Sequence, residues 1–217
     1  MPPSFYQIRQ CENPDCGLRY PLTSGHPFGE RCPLCLGATR VELEQPLHPE
    51  AKFSPSADAP QLDENAPLEA LLDNVRSAWN VGAIFRTADA FGVRHLHLCG
   101  ITPTPQNASV AKTALGADHS VAWSASRNAL NTARELKAAG AHLVALEQHE
   151  RALPISSLPN LPASNFPLVL IVGNEITGVD PALLELCDTV VHIPMRGQKR
   201  SLNVEVAFGV AVSHLTG

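Results

Sequence analysis

Ile193-Pro194-Met195-Arg196-Gly197-Gln198-Lys199-Arg200-Ser201-Leu202-Asn203-Val204-Glu205-Val206 is the stretch that decides the fold. It leaves an apolar run, Thr189-Val190-Val191-His192-Ile193, and Pro194 ends that strand because proline cannot donate to a β-ladder. A polar loop follows, with Gly197 and the cations Arg196, Lys199 and Arg200. Ser201 and Asn203 then sit at the start of an apolar run that reads as a helix over residues 202–215. Polar side chains between a strand end and a helix start are where α/β proteins place ligands.

From residue 68 onward the chain alternates between strand and helix patterns. Residues 68–73, 94–99, 120–123, 142–146, 168–172 and 189–193 read as strands, and 80–91, 107–115, 127–139 and 181–187 as further helices. In the helix over 80–91, Ala83, Thr87 and Phe91 share one apolar stripe with Ile84 and Ala88 beside it. Leu168 to Val172 is wholly apolar, as a central parallel strand must be. The alternation implies an α/β domain with a mostly parallel sheet.

Two further stretches combine small and polar residues at strand and helix ends. They are Asn80-Val81-Gly82-Ala83-Ile84-Phe85-Arg86-Thr87-Ala88-Asp89-Ala90-Phe91-Gly92 and Ile171-Val172-Gly173-Asn174-Glu175-Ile176-Thr177-Gly178-Val179. In this order, and followed by the 193–206 stretch, they resemble the three signature motifs of the SpoU (TrmH-like) RNA ribose methyltransferases of the SPOUT superfamily. The resemblance spans roughly residues 68–215. It implies a C-terminal trefoil knot, a homodimer, and methyl transfer from S-adenosylmethionine to a ribose 2′-hydroxyl of tRNA or rRNA. Periodicity alone implies no knot.

The resemblance assigns Gly173, Ile193, Met195 and Leu202, with Leu146 outside the motifs, to the S-adenosylmethionine pocket. Gly173 follows an apolar strand and lacks a side chain, so a flat adenine is expected to approach the backbone there. A larger residue at 173 is then expected to fill the adenine space and leave the fold intact. Asn80, Arg86, Glu175, Ser201 and Asn203 match the polar active-site positions. On the residues alone, Asn80 and Ser201 also suit helix capping, Glu175 a solvated loop, and Arg86 a plain surface cation. A base is needed for the ribose hydroxyl, yet deprotonating an arginine at pH 7 costs about 7.5 kcal/mol. Arg86 is therefore expected to orient the hydroxyl and its phosphate, with Asn80 and Asn203 holding the ribose and loop and Glu175 fixing the loop.

The first 65 residues lie outside the resemblance. Cys11-x4-Cys16-Gly17 and Cys32-x2-Cys35-x-Gly37 form two cysteine pairs separated by 15 residues. Two such pairs supply the four soft ligands of tetrahedral Zn2+, and glycine after each pair lets the backbone turn its amides toward the sulfurs. Residues 1–45 are thus expected to form a small zinc ribbon, with His26 a candidate substitute ligand. Residues 46–67 carry Pro46, Pro49, Pro55, Pro60 and Pro67 and read as a semi-extended linker to a methyltransferase domain over 68–217.

Composition narrows the remaining classes. The net charge is −5, with 5 Lys/Arg against 9 Asp/Glu in residues 1–65 and 11 against 12 in residues 66–217. Nothing in that balance announces a nucleic-acid binder, although phosphate contact needs only a local patch. The chain has no G-x-G-x-x-G after its first strand and no G-x-x-x-x-G-K-[ST], against dinucleotide and nucleoside-triphosphate sites. No apolar run approaches the ~20 residues of a membrane span and no secretory signal opens the chain, so a cytoplasmic location is expected. Two other readings stay open on the residues: a catalytically silent RNA-binding protein, and a zinc-ribbon module that binds protein partners.

Overall fold

The computed structural model describes residues 5–25, 30–46, 68–158 and 167–216. His26 and residues 47–67, most of the expected linker, lie outside them. The chain divides into two compact units, residues 1–59 and 60–217.

The first unit is a three-stranded antiparallel sheet of β1 (Phe5–Cys11), β2 (Arg19–Thr23) and β3 (Thr39–Pro46), in the order β2-β1-β3. Among its described residues it has almost no apolar core. Val41 and Leu43 on β3 and Leu34 and Leu36 near its second cysteine pair are exposed, while Cys11 and Cys32 are buried. Arg9 is also buried, and its guanidinium donates to the Thr39 hydroxyl at 2.8 Å, the Thr39 carbonyl at 3.1 Å and the Gln7 side chain at 2.6 Å. A buried cation requires such partners.

The second unit is α/β. Its strands are β4 (Leu68–Asp73), β5 (His95–Cys99), β6 (Ala122–Ser126), β7 (His142–Leu146), β8 (Leu153–Pro154), β9 (Leu168–Val172) and β10 (Thr189–His192). They form one sheet in the order β6-β5-β4-β9-β7-β10-β8, and every pairing is parallel. The helices are α1 (Ala78–Ala90), α2 (Ala108–Ala114), α3 (Ala117–Ser120), α4 (Ala129–Ala138), α5 (Pro181–Leu186) and α6 (Val204–Thr216), with a 3-10 turn at Ile155–Ser157. None is long and apolar enough to cross a membrane.

The central strands β4, β9 and β7 are buried on both faces. One core cluster joins their even-numbered side chains to α1 and α6 through Ile84, Phe85 and Phe208, and a second joins the odd-numbered ones on the opposite face to α4 and α5 through Ala133 and Leu183. That two-sided cover is why these strands read as continuous apolar runs.

Three details differ from the sequence reading. The segment expected as a strand over 120–123 ends α3 at Ser120, and β6 begins only at Ala122. Of the residues read on the apolar side of α1, Ile84 and Ala88 are buried, together with Val81 and Phe85, while Ala83, Thr87 and Phe91 are only half-buried. Thr87 faces α6, its hydroxyl donating to Glu205 at 3.2 Å. Finally, α6 starts at Val204 rather than Leu202.

Candidate active site

A cavity of about 350 Å³ lies at the C-terminal ends of β7, β9 and β10, roofed by the start of α6. This is the end of a parallel sheet at which α/β proteins bind ligands, and the volume is in the range of small-molecule pockets. Leu146, Gly173, Ile193, Met195 and Leu202 all line it. So do Glu175, Ser201 and Asn203. Asn80 and Arg86 do not.

Asn80 is nevertheless joined to the cavity wall. Its side-chain amide donates to Glu175 Oε1 at 3.0 Å, and its Oδ1 accepts from Asn203 Nδ2 at 3.1 Å. One residue from each of the three motifs thus meets in a single hydrogen-bonded chain. Asn80 does not cap α1. Ser77 does, accepting from the Asn80 amide at 3.3 Å. Nor does Ser201 cap α6: Asn203 precedes the helix, and its Oδ1 accepts from the Glu205 amide at 2.8 Å.

Glu175 performs a second task. Its carboxylate accepts from the backbone amides of Arg76 at 2.9 Å and Ser77 at 3.0 Å, tying the loop after β9 to the entrance of α1. Burial alone would raise its pKa. The amides of Arg76 and Ser77, its own amide and the Asn80 side chain outweigh burial and hold the carboxyl below its ordinary range.

Gly173 is required for a reason other than the expected one. The backbone of Asn174 and Gly178 forms an antiparallel bridge, with Asn174 N to Gly178 O at 3.1 Å and the reverse bond at 2.9 Å. The returning strand crosses so close that a Cβ at 173 would lie 2.3 Å from Gly178 C and Val179 N. A side chain there therefore strikes backbone, so a larger residue disturbs the loop itself and does not simply occupy ligand space.

Glu147, which the sequence reading did not single out, also lines the cavity. It follows β7 and accepts from the Val179 amide at 2.9 Å and from the Gln148 amide at 2.9 Å. Gly178 has φ +72°, and a Cβ on it would meet Glu147 Oε2 at 2.3 Å. Asp73 was missed in the same way. It is buried, and its Oδ2 accepts from the Asp180 amide at 2.9 Å, placing the start of α5. The signal for both was an acid at the end of an apolar strand.

Arg86 is exposed on α1, less than two turns beyond Asn80. Arg196, Lys199 and Arg200 are exposed as well.

The lining suits S-adenosylmethionine. Leu146, Ile193, Met195 and Leu202 offer apolar surface, the loops supply backbone groups, and the carboxylates of Glu147 and Glu175 complement a sulfonium and an ammonium.

In the first unit, the Sγ atoms of Cys11, Cys16, Cys32 and Cys35 all lie within 4.8 Å of one another. Cys11 and Cys35 are 3.4 Å apart and Cys16 and Cys32 3.7 Å. Four Zn–S bonds of ~2.3 Å in a tetrahedron set sulfurs about 3.8 Å apart, so the donor set fits zinc. In the second pair it is Leu36, at φ +61°, and not Gly37, that makes the left-handed turn.

A parallel sheet with a ligand cavity at its strand ends, closed by a polar network from three separated motifs, defines a class of α/β ligand-binding domain. The chain belongs to the SpoU rRNA Methylase family, which matches residues 67–213. It is 37% identical over 147 residues to the 23S rRNA (guanosine(2553)-2'-O)-methyltransferase RlmP of Bacillus subtilis, covering 68% of this chain and 57% of that one. It is 35% identical over 150 residues to the 23S rRNA (guanosine-2'-O-)-methyltransferase RlmB of Ralstonia nicotianae, covering 69% and 58%. The chain thus matches less than two thirds of the length of these curated relatives. Among solved structures, the AdoMet-bound rRNA methyltransferase of Sinorhizobium meliloti superposes with a TM-score of 0.64 at 27% identity, covering 70% of this chain and 56% of that one. The A. aeolicus TrmH/SpoU tRNA modifying enzyme gives 0.60 at 31% identity, covering 69% and 73%.

Proposed function

We propose that this protein transfers a methyl group from S-adenosylmethionine to a ribose 2′-hydroxyl of structured RNA, ribosomal or transfer, in the cytoplasm. The observation that carries the reading is the convergence of Asn80, Glu175 and Asn203 beside a cavity lined by Leu146, Gly173, Ile193, Met195 and Leu202. The relatives named as 23S rRNA 2'-O-methyltransferases and the AdoMet-bound structure support it.

S-adenosylmethionine supplies an electrophilic methyl group on a sulfonium. The residues of the chain supply position. In-line displacement depends on holding the two reacting atoms together, which a rigid network does well. Glu175 and Asn80 fix the loop after β9 against α1, and Asn203 fixes the start of α6 against both. Ser201 stands on the cavity wall where the acceptor ribose is to be held. Arg86 orients the hydroxyl and its phosphate as a bidentate donor.

The rest of the assignment is part of the same proposal. Residues 1–45 form a ribbon on structural zinc held by Cys11, Cys16, Cys32 and Cys35, residues 46–67 tether it, and residues 68–217 are catalytic, with the trefoil knot. Two chains pair as a homodimer, supported by the exposed Val206 and Val210 of α6.

The test incubates the protein with methyl-labelled S-adenosylmethionine and separate ribosomal and transfer RNA. Label that resists base removal and makes one linkage resistant to alkali supports ribose 2′-O transfer. Label on a base, or none in either RNA, overturns it.

A further inference from the structure

Trp79 is the second residue of α1 and stays 61% exposed, although tryptophan is highly buried on average. Its neighbour Asn80 is bonded to both Glu175 and Asn203, so the indole stands one residue from the polar centre of the site. At 3.6 residues per turn, positions 79, 83, 86 and 90 fall on one stripe of the helix. On that stripe Trp79, Arg86 and Ala90 are exposed and Ala83 is half-buried. The helix therefore presents an aromatic ring and a guanidinium on one face, with a small alanine between them. Arg76, with a side chain 55% exposed, stands just before the helix. The single acid of α1, Asp89, is turned aside to accept from the Ser120 hydroxyl. Across the Asn80–Glu175 pair, Ile176 is 72% exposed at the cavity rim.

We infer that Trp79 is a stacking platform for an unpaired RNA base, with Arg86 holding a phosphate of the same strand. The inference rests on the RNA-methyltransferase reading and adds what the protein recognises beside the ribose. A ribose can reach the site only if its nucleotide leaves the helical stack, and unstacked bases are held on aromatic rings and arginine planes. Stacking tolerates any base, since every base has a π-face. Arg86 on the same stripe as the indole complements phosphate, whereas Arg76 lies 3.9 Å from the Glu175 carboxylate. An apolar protein partner would leave Arg86 without a counter-charge.

The test is binding, read by tryptophan fluorescence of the whole protein. A Trp123→Phe background leaves Trp79 as the only indole, because the chain has two tryptophans. The probes are a short oligoadenylate and an abasic ribose-phosphate oligomer of equal length. Oligoadenylate is expected to quench Trp79. Trp79→Ala is expected to weaken oligoadenylate about tenfold and leave the abasic oligomer unchanged, with most affinity kept in Trp79→Phe. Equal weakening of both probes, or of neither, overturns the inference. Dissociation of a dimer by Trp79→Ala in sedimentation would assign this face to protein contact and also overturn it. The readout needs no methyl transfer. A protein that shows base-dependent quenching but methylates no RNA keeps this inference and loses the catalytic reading. One that methylates RNA with Trp79→Ala indifferent to bases does the reverse.

Discussion

Asn203 donates its side-chain amide to Asn80 Oδ1 at 3.1 Å, joining the first and last motifs of the domain across 123 residues. The same Asn203 caps α6 through the Glu205 amide. Asn203→Ala should therefore lower stability by about 1 kcal/mol from the lost cap and abolish methyl transfer. Urea unfolding of the single and double variants with Asn80→Ala forms a thermodynamic cycle. A coupling of about 1 kcal/mol is expected, and strict additivity would show that the bond holds nothing in place.

Glu175 has its pKa held below the ordinary carboxylate range in the folded state. Its contribution to stability is then complete above the unfolded value and disappears as pH falls through the folded one. Glu175→Gln should be less stable than the parent at pH 7, and the two should converge in acid, below the ordinary range of a glutamate. Unfolding curves across pH check this. A gap that widens on acidification contradicts the assigned hydrogen bonds.

Gly173→Ala is expected to cost about 2 kcal/mol, since its Cβ would strike the backbone of Gly178 and Val179. Cofactor affinity should fall with it, because the displaced loop carries Glu175. Gly197→Ala is the control, with nothing within 4 Å of the added carbon, and should leave the melting temperature alone. Calorimetric melting and titration with S-adenosylmethionine separate the two variants.

Arg86 is exposed and outside the cavity lining. Arg86→Ala should retain S-adenosylmethionine affinity and lose methyl transfer, and Arg86→Lys should rescue little because a point charge replaces a planar fork. Isothermal titration beside a single-turnover assay decides. Normal turnover in Arg86→Ala removes the residue from the reaction.

The four cysteines of the first unit should bind one zinc. Cys32→Ser with Cys35→Ser should lose the metal and unfold the ribbon, since the described residues of the unit supply so little apolar core. S-adenosylmethionine affinity should be unaffected and the KM for RNA should rise, as a tethered second contact is lost. Metal analysis of reductively purified protein and steady-state kinetics report the two halves independently.

Much of the second unit was legible in the amino-acid order. β4, β7 and β9 carry the boundaries read from their apolar runs, because a strand buried on both faces leaves an unbroken signal. The buried face of α1 was legible only in part, in Ile84 and Ala88. Thr87 is small enough to suit a core, yet it meets α6, and only packing distinguishes a helix–helix contact from a sheet contact. Ser120 misled similarly, since a four-residue helix leaves too short a period to tell from a strand.

What the sequence by itself determined is the strand–helix alternation of a parallel α/β domain and the cysteine pairs, for these are written in local patterns and spacing, whereas the residues expected around the cavity came from the resemblance to the SpoU motifs. Tertiary structure alone decided their tasks. It made Gly173 a crossing point for the backbone of Gly178, brought Glu147 to the wall, and turned Asn80 from a helix cap into the link between Glu175 and Asn203. The physical reason is range. Strand and helix patterns reflect burial and propensity over a few residues, whereas hydrogen bonds spanning 95 and 123 residues exist only once the sheet has set its order.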